Sequence, residues 1–185
     1  VDSDHIDLAA NIWTGSSHLN TLAAAESHGT HVAGTIAAVT GNALGIAGVA
    51  GGSYGGKGVK IMPLNLWGTH GLSTYALFVF AADNGASIAQ NSWGYEDPGV
   101  YNQSDLDGID YFNANGGGDH LTGGITIFAA GNSNSSLDYY PAYYAPVIAV
   151  AAHDNQGARA SFSNYGSWVD ISAPGVNILS LIPDD

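Results

Sequence analysis

Apolar positions fall in short runs along the chain, and the polar and small residues between them predict alternating strands and helices. Val59–Trp67 is mostly apolar and rich in β-formers, which predicts a strand. Ser73–Asn84 follows as an apolar helix, with Ser73 as N-cap and Gly85 as its C-terminal stop. Ala86–Ser92 reads as a short buried strand. Ser104–Asn115 has the spacing of an amphipathic helix and is ended by Gly116-Gly117-Gly118. Ile125–Ala130 and Val147–Ala152 read as further strands. Strands separated by helices imply crossover connections. The expected fold class is therefore α/β, a doubly wound, mostly parallel sheet with helices on both faces. Ligands of such sheets bind beyond the carboxyl ends of the strands. Ser92–Gly94 and Ala130–Asn132 both fall at such ends. Gly51–Gly58 is glycine-rich but lacks the Lys-Ser/Thr of a phosphate loop, so it reads as a turn.

Composition narrows the choice. At 185 residues the chain is expected to form one domain. Charged residues make up only 10%, and 26 glycines suit a tightly turned domain rather than a disordered segment. The net charge of −13 sets 16 acids against Lys57, Lys60 and Arg159. Such a surface repels nucleic acid and anionic membranes and favours cations. No apolar run reaches the length of about 18 residues needed to span a bilayer. The chain contains no cysteine, so it has no disulfide framework. Neither nucleic acid nor membrane is expected as a partner.

The densest chemistry lies in Ser27-His28-Gly29-Thr30-His31-Val32-Ala33-Gly34. This block puts an imidazole at the start of a helix of very small residues, from Thr30 to about Val39. Histidine can take and return a proton near neutral pH, and a helix gives it a rigid mount. Gly34, Ala33, Ala37 and Ala38 let neighbouring backbone approach closely. On the residues alone, His28 is also readable as a satisfied core histidine, or as half of a metal pair with His31 at i, i+3.

Two further blocks accompany it: Phe128-Ala129-Ala130-Gly131-Asn132-Ser133 and Ser172-Ala173-Pro174-Gly175-Val176. In this order and spacing the three resemble the subtilisin-like serine peptidases, the subtilases. The resemblance runs from Val1 to the last residue, with a poorer stretch near 96–123. It implies acyl transfer to a serine hydroxyl, which needs a base, a group orienting the base, and donors for the oxyanion. His28 resembles the general base of that family. Asn132 resembles the side-chain donor of the oxyanion hole, although by itself Gly-Asn-Ser-Asn is equally a turn. One such donor is worth on the order of 10²–10³ in turnover, a magnitude that itself comes from a subtilisin.

Ser92, Trp93 and Gly94 resemble the strand that pairs with an extended substrate backbone. Ala129, Ala130 and Gly131 would form the facing wall of the first pocket. Trp93 and Tyr95 replace smaller residues usual in the family, and Trp93 is also readable as a core or surface aromatic. Leu66-Trp67-Gly68 would begin a neighbouring loop. The implied partner is a polypeptide in extended conformation, handled outside the cell by a monomer. A non-catalytic peptide-binding relative is the alternative.

The family's Gly-Thr-Ser-Met block, which carries the nucleophile, does not occur among these residues, while Ala173–Ser180 resembles the strand that comes shortly before that block. Val1–Leu8 resembles the segment that follows the family's Asp-Thr-Gly. The catalytic aspartate would then precede Val1, while a rival alignment makes Asp2 that residue. The chain is thus expected to be the interior of a catalytic domain, incomplete at both ends and inactive as printed. The resemblance also implies a structural Ca²⁺. Asp7 and Asn42 would supply side-chain oxygens, and Val39, Leu44 and Ile46 backbone carbonyls, a set of hard oxygens suited to that ion. A weaker cation site would use carbonyls of Ala142, Tyr144 and Val147, and Tyr140-Pro141 would be cis. Asp105, Asp107 and Asp110 at helical spacing read as a solvated helix face rather than glycosidase carboxylates.

Overall fold

The computed structural model describes residues 1–20, 27–53, 58–68 and 70–184. The predicted glycine-rich turn lies partly outside them, since 54–57 are not among the described residues. The chain forms two compact units, Val1–Gly71 with Leu179–Asp185, and Leu72–Ile178.

In the first unit, two 3₁₀ turns (Ala9–Asn11 and Thr14–Leu19) precede helix α1, Ser27–Ala37. The small residues predicted to admit close approach do so. A Cβ on Gly34 would stand 2.7 Å from Leu181 Cγ and 2.8 Å from Ser180 Oγ. Leu181 is thereby buried with Leu8, Ala33, Ala37 and Ala38 in one cluster. The last carbonyls of a helix need outside partners, and here a loop supplies them. The N–H groups of Val49, Ala50 and Gly48 donate to Thr35 O (2.9 Å), Ile36 O (2.8 Å) and Ala38 O (3.0 Å). The buried Asn11 completes the set, its Nδ2 donating to Ala37 O (2.8 Å) and Gly51 O (2.9 Å). Gly51 has no room for a side chain, because a Cβ there would meet Ala38 O at 1.7 Å.

The expected strand Val59–Trp67 does not form. Ile61 makes a parallel bridge to Ile12, Ile61 N–H donating to Asn11 O (2.8 Å) and Trp13 N–H to Ile61 O (2.7 Å). Pro63 then removes a donor in mid-run, so the ladder cannot continue. Leu66-Trp67 lies in a turn instead, with Trp67 74% exposed.

The second unit contains helix α2 (Thr74–Asp83), strand β1 (Ile88–Asn91), helix α3 (Gln103–Asn115) and strands β2 (Ile125–Ala129), β3 (Ile148–His153) and β4 (Ile171–Pro174). The four strands are parallel and lie in the order β1-β2-β3-β4. Ser73 caps α2 as predicted, accepting from Ala76 N–H (3.3 Å), and Gly85 follows its end at φ +78°. Asn102 caps α3. Helices α2 and α3 pack on each other, with Phe78 and Phe112 tilted at 6.3 Å between centroids, and α3 also lies on β2. The core joins Leu77 and Phe78 to Leu106, Ile109 and Phe112, and Phe128 and Ala149 are fully buried in the sheet.

Two strand expectations need correction. β1 was expected to be buried, but among the described residues it is an edge strand, and Ile88 is 56% exposed. The family-like stretch 173–180 is not one strand. Pro174 closes β4, Asn177 turns the chain at φ +55°, and Leu181 enters the core of the first unit. The Tyr140-Pro141 peptide is cis, as expected.

Phe112 has no exposed surface. Phe112→Ala should lower the unfolding free energy by about 3–5 kcal/mol. The measurement is a lower urea midpoint with an unchanged slope.

Candidate functional site

In the second unit, β1 and β2 pair in parallel with Asn91 opposite Phe128. The next residues of both strands therefore leave the sheet side by side. Ser92–Glu96 and Ala129–Ser133 line one cleft of about 270 Å³, with Tyr139, Tyr140 and Ala142 on its remaining side. All six residues expected to bind substrate are thus brought together: Ser92, Trp93, Gly94, Ala129, Ala130 and Gly131. Asn132 lines the same cleft. Its position beyond β2 agrees with the rule for ligand sites at strand carboxyl ends.

The wall carrying Asn132 is rigidly held. Gly131 has φ +104°, and a Cβ there would meet Asn164 Nδ2 at 2.6 Å. Asn164 is fully buried and braces the loop from beneath. Its Oδ1 accepts from Ser133 N–H (2.9 Å) and Ser135 N–H (3.2 Å), and its Nδ2 donates to Ala130 O (2.9 Å). Its own N–H donates to Gly131 O (2.9 Å). Asn132 itself is exposed, and its side-chain amide makes no hydrogen bond among the described residues. Sequence reasoning missed Asn164; Ser163-Asn164-Tyr165-Gly166 looks like a polar turn, and only tertiary contact reveals the brace.

The opposite wall is aromatic. Trp93 is neither free on the surface nor simply core. It stands edge-on to buried Phe128 (5.3 Å) and Tyr95 (6.3 Å), and its Nε1 donates to Asn91 Oδ1 (3.1 Å). The main-chain groups of Trp93 and Gly94 make no hydrogen bond among the described residues. Tyr95 N–H donates to Tyr140 O (3.0 Å), which ties the two sides of the cleft. Tyr95 Oη donates to Asp105 Oδ2. Burial, then this bond, pushes the phenol up to about 12.

The acidic face of α3 is therefore not merely solvated, as expected. Asp105 is buried and holds Tyr95. Asp110 accepts from Tyr144 Oη (2.8 and 3.0 Å), whose phenol burial and this partner raise to about 12. Asp107 is exposed and accepts from Gln103 (2.8 Å). The helical spacing is as expected, but the aromatic partners come from other loops, 10 and 34 residues away in the chain.

In the first unit, His28 lies in the first turn of α1, exposed, with no hydrogen bond to its ring among the described residues. The helix already includes Ser27, ahead of the expected Thr30. His28 and His31 form no cluster of three or more His, Cys, Asp or Glu able to hold a metal, among the described residues. Asp2 is 2% exposed and its Oδ2 accepts from Asp184 N–H (3.3 Å); its own N–H donates to Thr30 Oγ1 (2.8 Å). Burial, then a hydrogen bond with Asp4, raises its carboxyl above the usual range.

Asp7, Val39, Asn42, Leu44 and Ile46 come together as one loop wrapped on a fully buried carboxylate. Asp7 Oδ1 accepts from Asn42 Nδ2 (2.6 Å) and Oδ2 from Ile46 N–H (2.9 Å), while Val39 N–H donates to Asp7 O (2.9 Å). A Cβ on Gly45 would meet Asp7 Oδ2 at 2.3 Å, so the loop hugs the acid. The carbonyls of Val39, Leu44 and Ile46 accept no hydrogen bond among the described residues. Asn42 Oδ1 accepts from Leu44 N–H (3.1 Å), so the three carbonyls beside the Asp7 carboxylate are the uncommitted oxygens of this set, of the kind hard cations favour. Of the weaker set, the Tyr144 carbonyl already accepts from Val147 N–H (3.0 Å).

The sequence pattern of the Subtilase family matches residues 1–184. The thermophilic serine proteinase of Bacillus sp. (strain AK1) is 38% identical over 186 residues, covering 98% of this chain and 43% of that protein. Thermitase of Thermoactinomyces vulgaris is 35% identical over 190 residues, covering 99% of this chain and 62% of its own length. The crystal structure of a psychrophilic subtilisin-like protease from Pseudoalteromonas sp. AS-11 superposes with a TM-score of 0.72 at 31% identity, covering 98% of this chain and 40% of that one. The chain thus spans roughly half the length of the curated relatives it matches.

The brace can be tested apart from any catalysis. Asn164→Ala leaves two N–H donors and a carbonyl of the 130–135 loop without their partner. The buried Ala130 carbonyl costs about 1–3 kcal/mol when orphaned, and the two part-buried N–H groups cost less. The expected result is a lower urea midpoint, together with faster amide hydrogen exchange at Ser133 and Ser135.

Proposed function

Because this chain belongs to the subtilase family, we propose that it supplies the base, the oxyanion donor and the substrate cleft of a serine endopeptidase. The observation that carries this reading is the cleft at the carboxyl ends of β1 and β2, with the uncommitted Asn132 amide on its rim. Residues 1–185 are read as part of one catalytic domain.

The substrate lies extended along Ser92–Gly94. The free main-chain groups of Trp93 and Gly94 bond to its backbone. Ala129, Ala130 and Gly131 face it with little side-chain bulk, leaving the cleft for one substrate side chain. His28 takes the proton of a serine hydroxyl as that oxygen attacks the scissile carbonyl. It then gives the proton to the leaving amine. An aspartate orients the ring and stabilises its charged form. Asn132 donates to the oxygen that becomes negative; being held by its loop beforehand, it costs no reorganisation at that moment. The serine belongs to a Gly-Thr-Ser-Met type of block, which these residues do not include. The working protein is a monomer acting outside the cell on polypeptides.

Asp7, Asn42 and the carbonyls of Val39, Leu44 and Ile46 would hold Ca²⁺. The ion would supply positive charge beside a buried carboxylate and tie the loop to it. The Asn42 amide and Ile46 N–H donate to the same carboxylate.

Two measurements check this reading. The 185 residues alone should release no peptides from casein, and His28-dependent release would show that the base serves another nucleophile. In a protein that carries this chain with the nucleophile block, Asn132→Ala should lower kcat by on the order of 10²–10³ with KM little changed. For the cation, millimolar Ca²⁺ should raise Tm by several degrees, as expected for about 2–3 kcal/mol of binding linkage at a hundredfold excess over Kd. Asp7→Asn should abolish the rise, and a wild-type Tm indifferent to Ca²⁺ would remove the site from the account.

A further inference from the structure

We propose that Tyr95 sets the size of the side-chain pocket in the cleft, and that Asp105, which touches no substrate, is the positioning residue that holds it there. The inference rests on the peptide-cleft reading above and names the part of the cleft that selects.

Tyr95 lines the cleft, yet its phenol reaches out of it to α3, where Oη donates to the Asp105 carboxylate. Asp105 is only 8% exposed. A buried carboxylate needs a hydrogen-bond partner, and Tyr95 is the side chain that satisfies it. Asp105 also sits in the first turn of α3, where the helix favours negative charge. A phenol donating to a carboxylate makes a hydrogen bond of the stronger class.

The ring is anchored on its other side too. It meets Trp93 edge-on at 6.3 Å, and Trp93 meets Phe128 edge-on at 5.3 Å. Phe128 is fully buried in β2. Three rings therefore run from α3 to the sheet core along one wall of the cleft. The backbone adds a third tie, Tyr95 N–H to Tyr140 O across the cleft (3.0 Å). A side chain held at three points is a fixed boundary rather than a mobile one. The neighbouring acids do not share the task. Asp107 bonds Gln103, and Asp110 bonds Tyr144, which does not line the cleft.

The test uses the 185-residue chain and a series of blocked tetrapeptides that differ at one position only (Ala, Leu, Phe or Trp), with binding read by calorimetry. The decisive quantity is the ratio of affinities for the Trp and Leu peptides, because a general loss of structure lowers all affinities together. Tyr95→Ala should raise that ratio about tenfold, as a change of several carbons in an apolar pocket does. Asp105→Ala and Tyr95→Phe, which release the ring without removing it, should move the ratio in the same direction by a smaller factor. Asp105→Asn keeps an acceptor for the phenol and should restore a near wild-type ratio. Asp107→Asn should leave it unchanged. If Asp105→Ala fails to fold, Tyr95→Phe breaks the same bond from the other side. An unchanged ratio in Tyr95→Ala, with peptides still bound, overturns this inference and leaves the cleft reading intact. A common drop for all peptides in both Asp105→Ala and Tyr95→Phe overturns the positioning role. No binding of any peptide by the wild-type chain overturns the cleft reading, and this inference with it.

Discussion

Parallel pairing of β1 and β2, with Asn91 opposite Phe128, is the constraint from which the cleft follows. Parallel strands end on the same side of a sheet, so the residues that continue them must diverge from a common edge. Ser92–Glu96 and Ala129–Ser133 become facing walls for that reason alone. A register slip of one residue would turn Phe128 out of the core and Ala129 into it. Burial of Phe128 therefore fixes both the stability of the sheet and the shape of the site.

Around that edge the polar groups are arranged so that the walls cannot drift. Asn164 satisfies two N–H groups and one carbonyl beneath the Asn132 wall. Asp105 satisfies the Tyr95 phenol behind the aromatic wall. Both braces are buried, where an unpaired polar group is expensive, so each holds its loop by the penalty for letting go. Asn132 is left exposed, its amide uncommitted among the described residues. A donor presented on a rigid mount, with nothing else to bond, is what charge stabilisation at a reacting carbonyl requires.

The first unit solves a different problem with the same economy. Helix α1 is made of residues too small to bury much area, yet it packs because they are small. Gly34 admits Leu181, and Gly51 lies against Ala38 O. The carbonyls at its end are met by the 48–50 amides and by Asn11, so the histidine-bearing helix is fixed at its far end by backbone bonds. Asp7 organises the loop that follows, taking Asn42 and Ile46 as donors.

Much of this was legible in the chain itself. Ser73 and Gly85 placed α2, and Gly116 the end of α3, within a residue, because caps and stops act on their own backbone. The strand-end positions of Ser92 and Asn132, and the block around His28, were readable because their spacing is local. What failed was non-local. Val59–Trp67 has strand-like composition, but Pro63 and the lack of a paired neighbour leave only a bridge at Ile61. Ala86–Ser92 looks buried by composition, yet its place in the strand order makes it an edge among the described residues. Asp105 has the spacing of a solvated face, and only the fold brings Tyr95 to it across the intervening loop. Asn164 lies 31 residues from Ser133 in the chain, and nothing in its own neighbourhood announces the bond. Periodicity and capping depend on residues a few places apart and so are written in order along the chain. Which buried polar group meets which partner depends on where distant segments cross, and that was decided by the tertiary structure alone.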